Sequence, residues 1–354
     1  MVARIIVVAL AVLAYFVRIP AAWVEQFYSR GVYARLQPLL TGVSNRVPFA
    51  LFDVLIVAAS VFVVGATVHM VGRTLRGRAL REIGRFVLNL LAGAGLVYLV
   101  FLGAWGLNYE REPLARRLVF NEGAAGHDAV VRLAEDTVRQ LNQLHDRAHR
   151  EGFPAWEGLR PAMDRTFRLM HSRLAPGVHP RAGVPKWSLL SYYFDRAGVS
   201  GMTDPFFLEV LVDRELLPFE RPFVLAHEWA HLAGYADEAE ANFVGWLTCV
   251  NGAAPAAYSG WLYLYSQAVV SLPRDERLPL IRALAPGPRA DLTALAERAR
   301  RIQPVLRSVS WRVYDRYLKA NRVEEGIASY DRAVVLVLRS QFVSGWQPVM
   351  KSGQ

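Results

Sequence analysis

Residues 224–242 read VLAHEWAHLAGYADEAEAN and collect two histidines, a glutamate and a cluster of acids within one short segment. In a helix of 3.6 residues per turn, His227 and His231 lie on one face, where two imidazoles can bind one ion. Glu228 is rotated by about 100° from His227 and can reach a metal-bound water without being a ligand. This H-E-x-x-H arrangement predicts zinc held by the histidines and Glu228 as the general base.

The third zinc ligand is expected among the acids that follow this helix. Gly234 is placed to end the helix in a left-handed conformation, and a second helix is predicted over ADEAEANFVGWLTCV. Asp237 and Glu240 have the N-cap and N3 spacing of a capping box, which leaves Glu238 to face the histidines. We therefore rank Glu238 first, Glu240 second and Asp237 third. Asn242, one turn beyond Glu238, is expected to accept a ring N–H from a ligating histidine.

The chain has 354 residues, of which 53% are hydrophobic, and long apolar runs occur near its amino terminus. Three transmembrane helices are predicted, at about residues 5–24, 54–72 and 86–105. The second and third runs have the length needed to cross about 30 Å of hydrocarbon. The first is interrupted by Arg18, so a cleaved signal peptide or an interfacial anchor is an alternative to a retained span. The predicted domains are a membrane region, 1–106, and a larger domain, 107–354.

Arginines predict the orientation of this membrane region. The loop GRTLRGRALREIGR between the second and third segments carries five arginines close to both membrane ends. Positive charge is retained on the cytoplasmic side, so this loop is predicted to be inside. The first loop, roughly residues 23–48, and the domain from residue 107 onward are then extracytoplasmic.

The formal net charge of +10 raises the question of a nucleic-acid partner. Part of the excess lies in the basic loop, and the rest is interspersed with acids along predicted helices. We therefore expect anionic lipid head groups, and no nucleic acid, to interact with these charges. The single cysteine, Cys249, cannot form an intrachain disulfide and is predicted to be a small buried hydrophobe.

The chain after the membrane region is predicted to be α+β and mainly helical. Residues 127–150 have helical periodicity, whereas KWSLLSYYF (186–194) and FFLEVLVD (206–213) are predicted strands separated by a turn region. An edge strand beside the metal could align a peptide substrate. Further helices are predicted over 258–272, 292–321 and 329–342, with a loop over APGPRAD (285–291).

A second histidine pair with helical spacing, His145 and His149, lies in LHDRAH. Its neighbours are charged and no nearby helix is expected to supply an acid ligand, so a solvated helix end is predicted instead of a metal site. For the oxyanion of a hydrolytic reaction, Tyr258 and Tyr330 are the candidate donors, with a packing role as the alternative.

The chain resembles a family of bacterial membrane proteins that carry a zinc-peptidase-like domain after three amino-terminal spans. The segments that carry the resemblance are WGLNYEREPL, HEWAHLAGYADEAEANFVGWLTC, YSGWLYLY, YDRYLKAN and GIASY, spread over most of the chain. The run from Glu238 to Asn242 is also similar to the E-x-x-A-D element of gluzincin membrane proteases, which implies that Glu238 is the third zinc ligand. Asn242 stands where that element has an aspartate.

These observations predict a membrane-anchored zinc metallopeptidase, with transmembrane helices followed by an extracytoplasmic zincin-like domain that contains a small β-sheet. His227, His231 and Glu238 would bind Zn²⁺, and Glu228 would be catalytic. The expected partners are a peptide or protein substrate and the lipid bilayer. Two alternatives remain open, a zinc hydrolase of another amide such as one in the cell wall, and a non-catalytic membrane scaffold with structural zinc. Three protein ligands and an intact Glu228 favour catalysis.

Overall fold

The computed structural model describes residues 1–74, 79–321 and 332–351 and is mainly helical, with small sheets. Its apolar amino-terminal helices are α1 (Val2–Phe16), α4 (Leu51–Thr74) and α5 (Ala79–Ala104). Two helices, α4 and most of α5, are long and apolar enough to cross a membrane, and a third span results if two bent amino-terminal helices count as one. None of the apolar stretch of α4 is buried inside the protein. The chain therefore has the character of a membrane protein, as predicted. Which side of the membrane each loop occupies stays a prediction.

The predicted first span, residues 5–24, is divided in the structure. Helix α1 ends at Phe16, and the helical arm Ala21–Ser44 is bent from it by 115°. Pro20 is the N-cap of the second piece, as expected for a residue that cannot continue a preceding helix. The arm consists of α2 (Ala21–Trp23), a π-helical stretch (Val24–Val32) and α3 (Tyr33–Ser44). Most of the predicted first loop is thus helical.

This arm packs on the larger helical region. The Tyr33 phenol donates a hydrogen bond of 2.8 Å to the carbonyl of Leu232, and Thr41 donates one of 2.9 Å to the carbonyl of Leu208. Both contacts are buried and join residues more than a hundred positions apart. The division of the chain at residue 106 stays a prediction, but the two predicted regions share an extensive hydrogen-bonded boundary.

Ten further helices follow the apolar helices in the described part of the chain. They are α6 (His127–Glu151), α7 (Trp156–Leu174), α8 (Ser191–Ala197), α9 (Arg221–Leu232), α10 (Glu238–Val250), α11 (Ala254–Val270), α12 (Arg274–Ala283), α13 (Pro286–Ala299), α14 (Pro304–Ala320) and α15 (Arg332–Arg339). The core is centred on α9, α10 and α11, each of which buries a tryptophan almost completely: Trp229, Trp246 and Trp261. The predicted helix over 127–150 is confirmed by α6, and Cys249 is buried as predicted.

A three-stranded sheet covers one side of α9. Its strands are β1 (Pro185–Lys186), β2 (Gly201–Asp204) and β3 (Glu209–Val212), in the order β1-β3-β2. Strand β1 is parallel to β3, and β2 is antiparallel to it, with Met202 opposite Leu211. Strand β2 is therefore an edge strand. A small antiparallel pair follows α15, formed by β4 (Phe342–Val343) and β5 (Gln347–Pro348).

Three of the predicted elements differ from the structure. The stretch predicted as a strand over 186–194 leaves the sheet after Lys186, because a turn in which Ser191 N–H donates to the Ser188 carbonyl opens helix α8. Strand β2 lies instead within the predicted turn region. Residues 285–291 are not a loop, since α13 begins at Pro286. Proline is well suited to the first helical position, where no intrahelical N–H bond is required.

We expect Tyr33→Phe to destabilise the whole protein, because it leaves the buried Leu232 carbonyl without its donor. The loss should be about 1–3 kcal/mol, seen as a lower melting temperature of the full chain in detergent. Tyr192→Phe is the matched control, because this side chain is largely exposed, and it should change stability by less than about 0.5 kcal/mol. Equal melting temperatures for the Tyr33 variant and the wild type would show that this hydrogen bond contributes nothing to stability.

Candidate metal centre

Two histidines on α9 form the base of the candidate site. Their positions, four residues apart, place the imidazoles of His227 and His231 on one face, with Nε2 atoms 3.1 Å apart. The ring of His231 is oriented by a contact of 2.8 Å between its Nδ1 and the carbonyl of Tyr235. A proton on Nδ1 donated to that carbonyl leaves Nε2 as the metal-binding atom.

Glu238 supplies a third ligand atom from the start of α10. Gly234 has φ of +86° and ends α9 in the predicted left-handed conformation. Asp237 then caps α10 by accepting a hydrogen bond of 3.1 Å from the Glu240 amide. This turn places Glu238 Oε2 at 3.5 Å from His227 Nε2 and 3.6 Å from His231 Nε2.

The geometry of these three atoms fits a zinc ion. Ligand atoms bound tetrahedrally at ordinary zinc–nitrogen and zinc–oxygen lengths lie about 3.3 Å from one another. The three observed separations of 3.1, 3.5 and 3.6 Å lie close to that value. In addition, Glu238 Oε2 is buried and has no hydrogen-bond partner. A buried carboxylate oxygen of this kind is costly unless a cation or donor satisfies it.

Charge within the site also favours a cation. Burial lowers the pKa of His227 to about 4, which keeps this imidazole neutral and able to bind a metal. Burial also lowers the pKa of His231, but the nearby charges of Glu238 and Glu228 and the contact with the Tyr235 carbonyl together raise this pKa to about 9. Burial raises the pKa of Glu238, but the nearby His231 and His227 and the hydrogen bond from Tyr314 together lower it to about 2.

The other two acids serve different partners. Asp237 uses one oxygen for the helix cap and the other to pair with Arg332 at 2.5 Å. Glu240 accepts a hydrogen bond of 2.6 Å from the amide of Leu114. The predicted capping box is thus only half formed, because the Glu240 side chain caps a remote 3₁₀ turn instead of the Asp237 amide. The structure brings Glu238, and neither of its acidic neighbours, to the histidines.

Glu228 points from the same helix towards the sheet. Its Oε2 accepts a hydrogen bond of 2.8 Å from the hydroxyl of Thr203, on the edge strand β2. Gly201 makes room for the carboxylate, because a Cβ there would lie 2.7 Å from Glu228 Oε1. Burial raises the pKa of Glu228 to about 7. Glu228 thus follows the candidate ligand His227 directly in α9 and contacts the edge strand of the sheet.

A family comparison adds to this geometry. The model of a family described as "Protein of unknown function (DUF3810)" matches residues 28–338. The chain belongs to this family. The matched range extends from the π-helical part of the arm into α15 and includes all the residues of the candidate site. Neither a curated protein nor a solved structure matches the chain.

Tyr314 on α14 contacts a candidate ligand and was not predicted from the sequence. Its phenol donates a short hydrogen bond to Glu238 Oε1, the oxygen that does not face the histidines. The tyrosine proposed from the sequence, Tyr258, is not at this site, because its hydroxyl donates to Asp291 at 2.6 Å. Tyr330 lies outside the described residues. The motif YDRYLKAN contains Tyr314, but nothing in its spacing indicates a contact with an acid 76 positions earlier.

Asn242 lies one helical turn after Glu238, as predicted for a residue that supports a ligand. Burial lowers the pKa of His227, and the side chain of Asn242 has a smaller effect in the opposite direction. The Nδ1 of His227 and the amide nitrogen of Asn242 are buried, and neither has a partner at full hydrogen-bonding geometry. The amide of Asn242 is therefore next to the ring, and its role as acceptor for Nδ1 stays a prediction.

The DUF3810 chain holds a second group of metal-competent side chains among its described residues. His145 and His149 on α6 lie beside Asp291 on α13. The prediction that no helix supplies an acid to this pair is wrong, since Asp291 comes from a segment that the sequence indicated to be a loop. The described residues therefore include two separate sets of three side chains with the geometry to hold an ion.

Substitutions should show whether Glu238 or Glu240 of α10 is a zinc ligand. His231→Ala and Glu238→Ala should each lower the zinc content of the purified full chain by about one ion, because each removes one of three protein ligands. Glu240→Gln should leave the zinc content unchanged, since Glu240 is bonded to the Leu114 amide and not to the histidines. Inductively coupled plasma mass spectrometry measures the ion. Loss of zinc from the Glu240 variant, with retention in the Glu238 variant, would contradict the ligand assignment.

Proposed function

We propose that the protein is a membrane-anchored zinc metallopeptidase that hydrolyses peptide bonds. The observation that carries the proposal is the convergence of His227, His231 and Glu238 on one point, with the buried Glu228 beside them on the same helix. Within the described residues this group contains three potential protein ligands. Structural zinc sites usually close with a fourth protein ligand, whereas catalytic sites keep one position for water or substrate.

Each side chain of the site would have a separate role in hydrolysis. His227, His231 and Glu238 would hold zinc, which supplies a Lewis acid and a water of lowered pKa when bound. Glu228 would accept a proton from the attacking water and pass it to the leaving amine. The Thr203 hydroxyl would orient this carboxylate through its bond of 2.8 Å.

The edge strand supports a peptide as the substrate. Strand β2 pairs with β3 along one side only, and its residues Gly201 and Thr203 contact Glu228. An extended peptide that added to the other side of β2 would run past this carboxylate, with main-chain hydrogen bonds fixing its register. Such binding presents a peptide bond, rather than an isolated side chain, to the general base.

Tyr314 would act as a positioning residue for the ligand set. Its phenol holds one oxygen of Glu238 and so leaves the other directed at the histidines. Outer hydrogen bonds of this kind orient ligands, and their loss typically weakens metal affinity by about 10–100-fold. This contact also places α14 over the site.

Glu228→Gln should abolish hydrolysis while zinc stays bound, because the glutamate is not part of the ligand group. The loss of rate should be at least about 100-fold, as is typical when a general base is removed. The assay is a mixture of synthetic peptides incubated with the full chain in detergent, with cleavage read by mass spectrometry and zinc content measured in parallel.

Two other results would replace the proposal. If the wild type leaves every peptide intact but releases fragments from purified peptidoglycan, and Glu228→Gln does not, the protein hydrolyses another amide. If neither substrate is cleaved by the zinc-loaded wild type, a zinc-containing scaffold fits best. If Glu228→Gln cleaves as fast as the wild type, Glu228 is not the general base and the proposed mechanism is wrong.

The proposed location of the site is outside the cytoplasm, in keeping with the arginine-rich loop between α4 and α5. Arg76 and Arg78 of this loop lie outside the described residues. In intact cells, a cysteine introduced at exposed Leu80 should resist a membrane-impermeant maleimide, whereas one introduced at exposed Arg300 should react. The native Cys249 is buried, so the wild type serves as the unlabelled control. Labelling in the opposite pattern would place the site in the cytoplasm.

A further inference from the structure

The second group of ligands joins two helices that are far apart in sequence. His145 and His149 project from successive turns of α6, and Asp291 lies on α13. The three candidate ligand atoms lie within 4.8 Å of one another. The two imidazole rings are nearly stacked, with centroids 4.2 Å apart and planes inclined by 30°. Both rings therefore face the same carboxylate.

The distances from the two imidazole nitrogens to Asp291 Oδ2 lie on either side of the separation between two ligand atoms in a zinc site. His149 Nε2 lies 2.9 Å from Asp291 Oδ2, and His145 Nε2 lies 3.7 Å from the same oxygen. Tetrahedral zinc ligands lie about 3.3 Å apart, so each separation differs by roughly 0.4 Å, in opposite directions. The longer distance exceeds that of a hydrogen bond. His145 Nε2 therefore points at the carboxylate oxygen without being bonded to it.

Outer partners already orient two of the three ligands. Asp146 lies 2.9 Å from the Nδ1 of His145, which is the nitrogen that faces away from the cluster. A carboxylate on one ring nitrogen and a metal on the other is a common arrangement for ligating histidines. On the opposite side, Tyr258 donates a hydrogen bond of 2.6 Å to Asp291 Oδ2.

Asp291 is a buried carboxylate whose partners come from histidine and tyrosine side chains. The residue is 7% exposed, and its ion-pair partners in the described part of the chain are His145 and His149, with neither lysine nor arginine. A divalent ion bound by the two imidazoles would place positive charge directly beside this buried carboxylate.

The surrounding backbone is built for close approach at this point. A Cβ at Gly287 would lie 2.2 Å from Cε1 of His145, so glycine at the start of α13 lets the ring keep its observed position. The side chain of Asn142 binds both ends of the connection between α12 and α13, through the Ala283 carbonyl at 2.9 Å and the Ala285 amide at 2.7 Å. The cluster is thus set where α13 is held against α6.

We propose that His145, His149 and Asp291 form a second site for a divalent metal ion of the zinc class, and that this ion fastens α13 to α6. Two imidazole nitrogens and one carboxylate oxygen are a zinc-type donor set. The side chain of His149 is 38% exposed, so an ion can enter from solvent and water can complete its coordination. The site is separate from the group on α9 and α10 and does not depend on hydrolytic activity.

The test uses the full chain in detergent, purified through a tag without histidines and dialysed after loading with zinc. We expect about two zinc ions per chain in the wild type, about one in His231→Ala, about one in His149→Ala and about none in the double variant. His127→Ala is the matched control, because His127 is a surface histidine on the same helix and contacts Glu276 instead of Asp291. It should hold as much zinc as the wild type.

A stability measurement guards against misfolding of the ligand variants. In the His231→Ala background, added zinc should raise the melting temperature, because an ion that binds only the folded chain stabilises it. Tyr258→Phe in that background keeps all three ligands and should weaken zinc affinity by about 10–100-fold, measured by competition with a chelator. If His231→Ala holds no zinc, or if its remaining zinc persists in the His149→Ala double variant, there is no metal site at this cluster.

Discussion

The structure depends on placing an ionised carboxylate inside a helical core. Glu238 is 3% exposed and stands at the first position of α10, with two imidazoles on one side and a phenol on the other. Burial of such a group is unfavourable unless each oxygen has a partner. Three features place Glu238 beside its partners: the left-handed turn at Gly234, the cap at Asp237 and the contact with Tyr314 of α14. The large apolar side chains of α9 and α10 then hold the two helices at the distance the ligands need.

The carboxyl-terminal end of α9 shows how remote parts of the chain satisfy this constraint. The last carbonyls of a helix lack intrahelical partners. Here the indole of Trp105 donates to the carbonyl of His231 at 3.0 Å, and Tyr33 donates to that of Leu232. Arg111 donates to the carbonyl of Gly234 at 2.9 Å and pairs with Glu25. Donors from the amino-terminal third of the chain therefore complete the helix that carries both histidines.

What could be predicted from the sequence follows from how local each interaction is. The histidine pair and Glu228 were accessible because helix periodicity alone relates positions four apart. Glu238 was accessible through capping geometry over a few residues. By contrast, Tyr314 meets Glu238 across 76 positions and Asp291 meets His149 across 142. No local pattern encodes such contacts, and proline at the start of α13 was mistaken for a loop signal although it also suits a helix start.

The hydrogen bond from Trp105 changes how the membrane segment should be regarded. Trp105 directly follows α5, and its partner is the backbone of a candidate metal ligand. Removing residues 1–106 to obtain a soluble fragment would strip the donors from two adjacent carbonyls at the end of α9. Residues 1–106 therefore contribute hydrogen-bond donors to the helix that carries both histidines, in addition to the apolar helices. Biochemistry on this protein calls for the intact chain in a lipid or detergent environment.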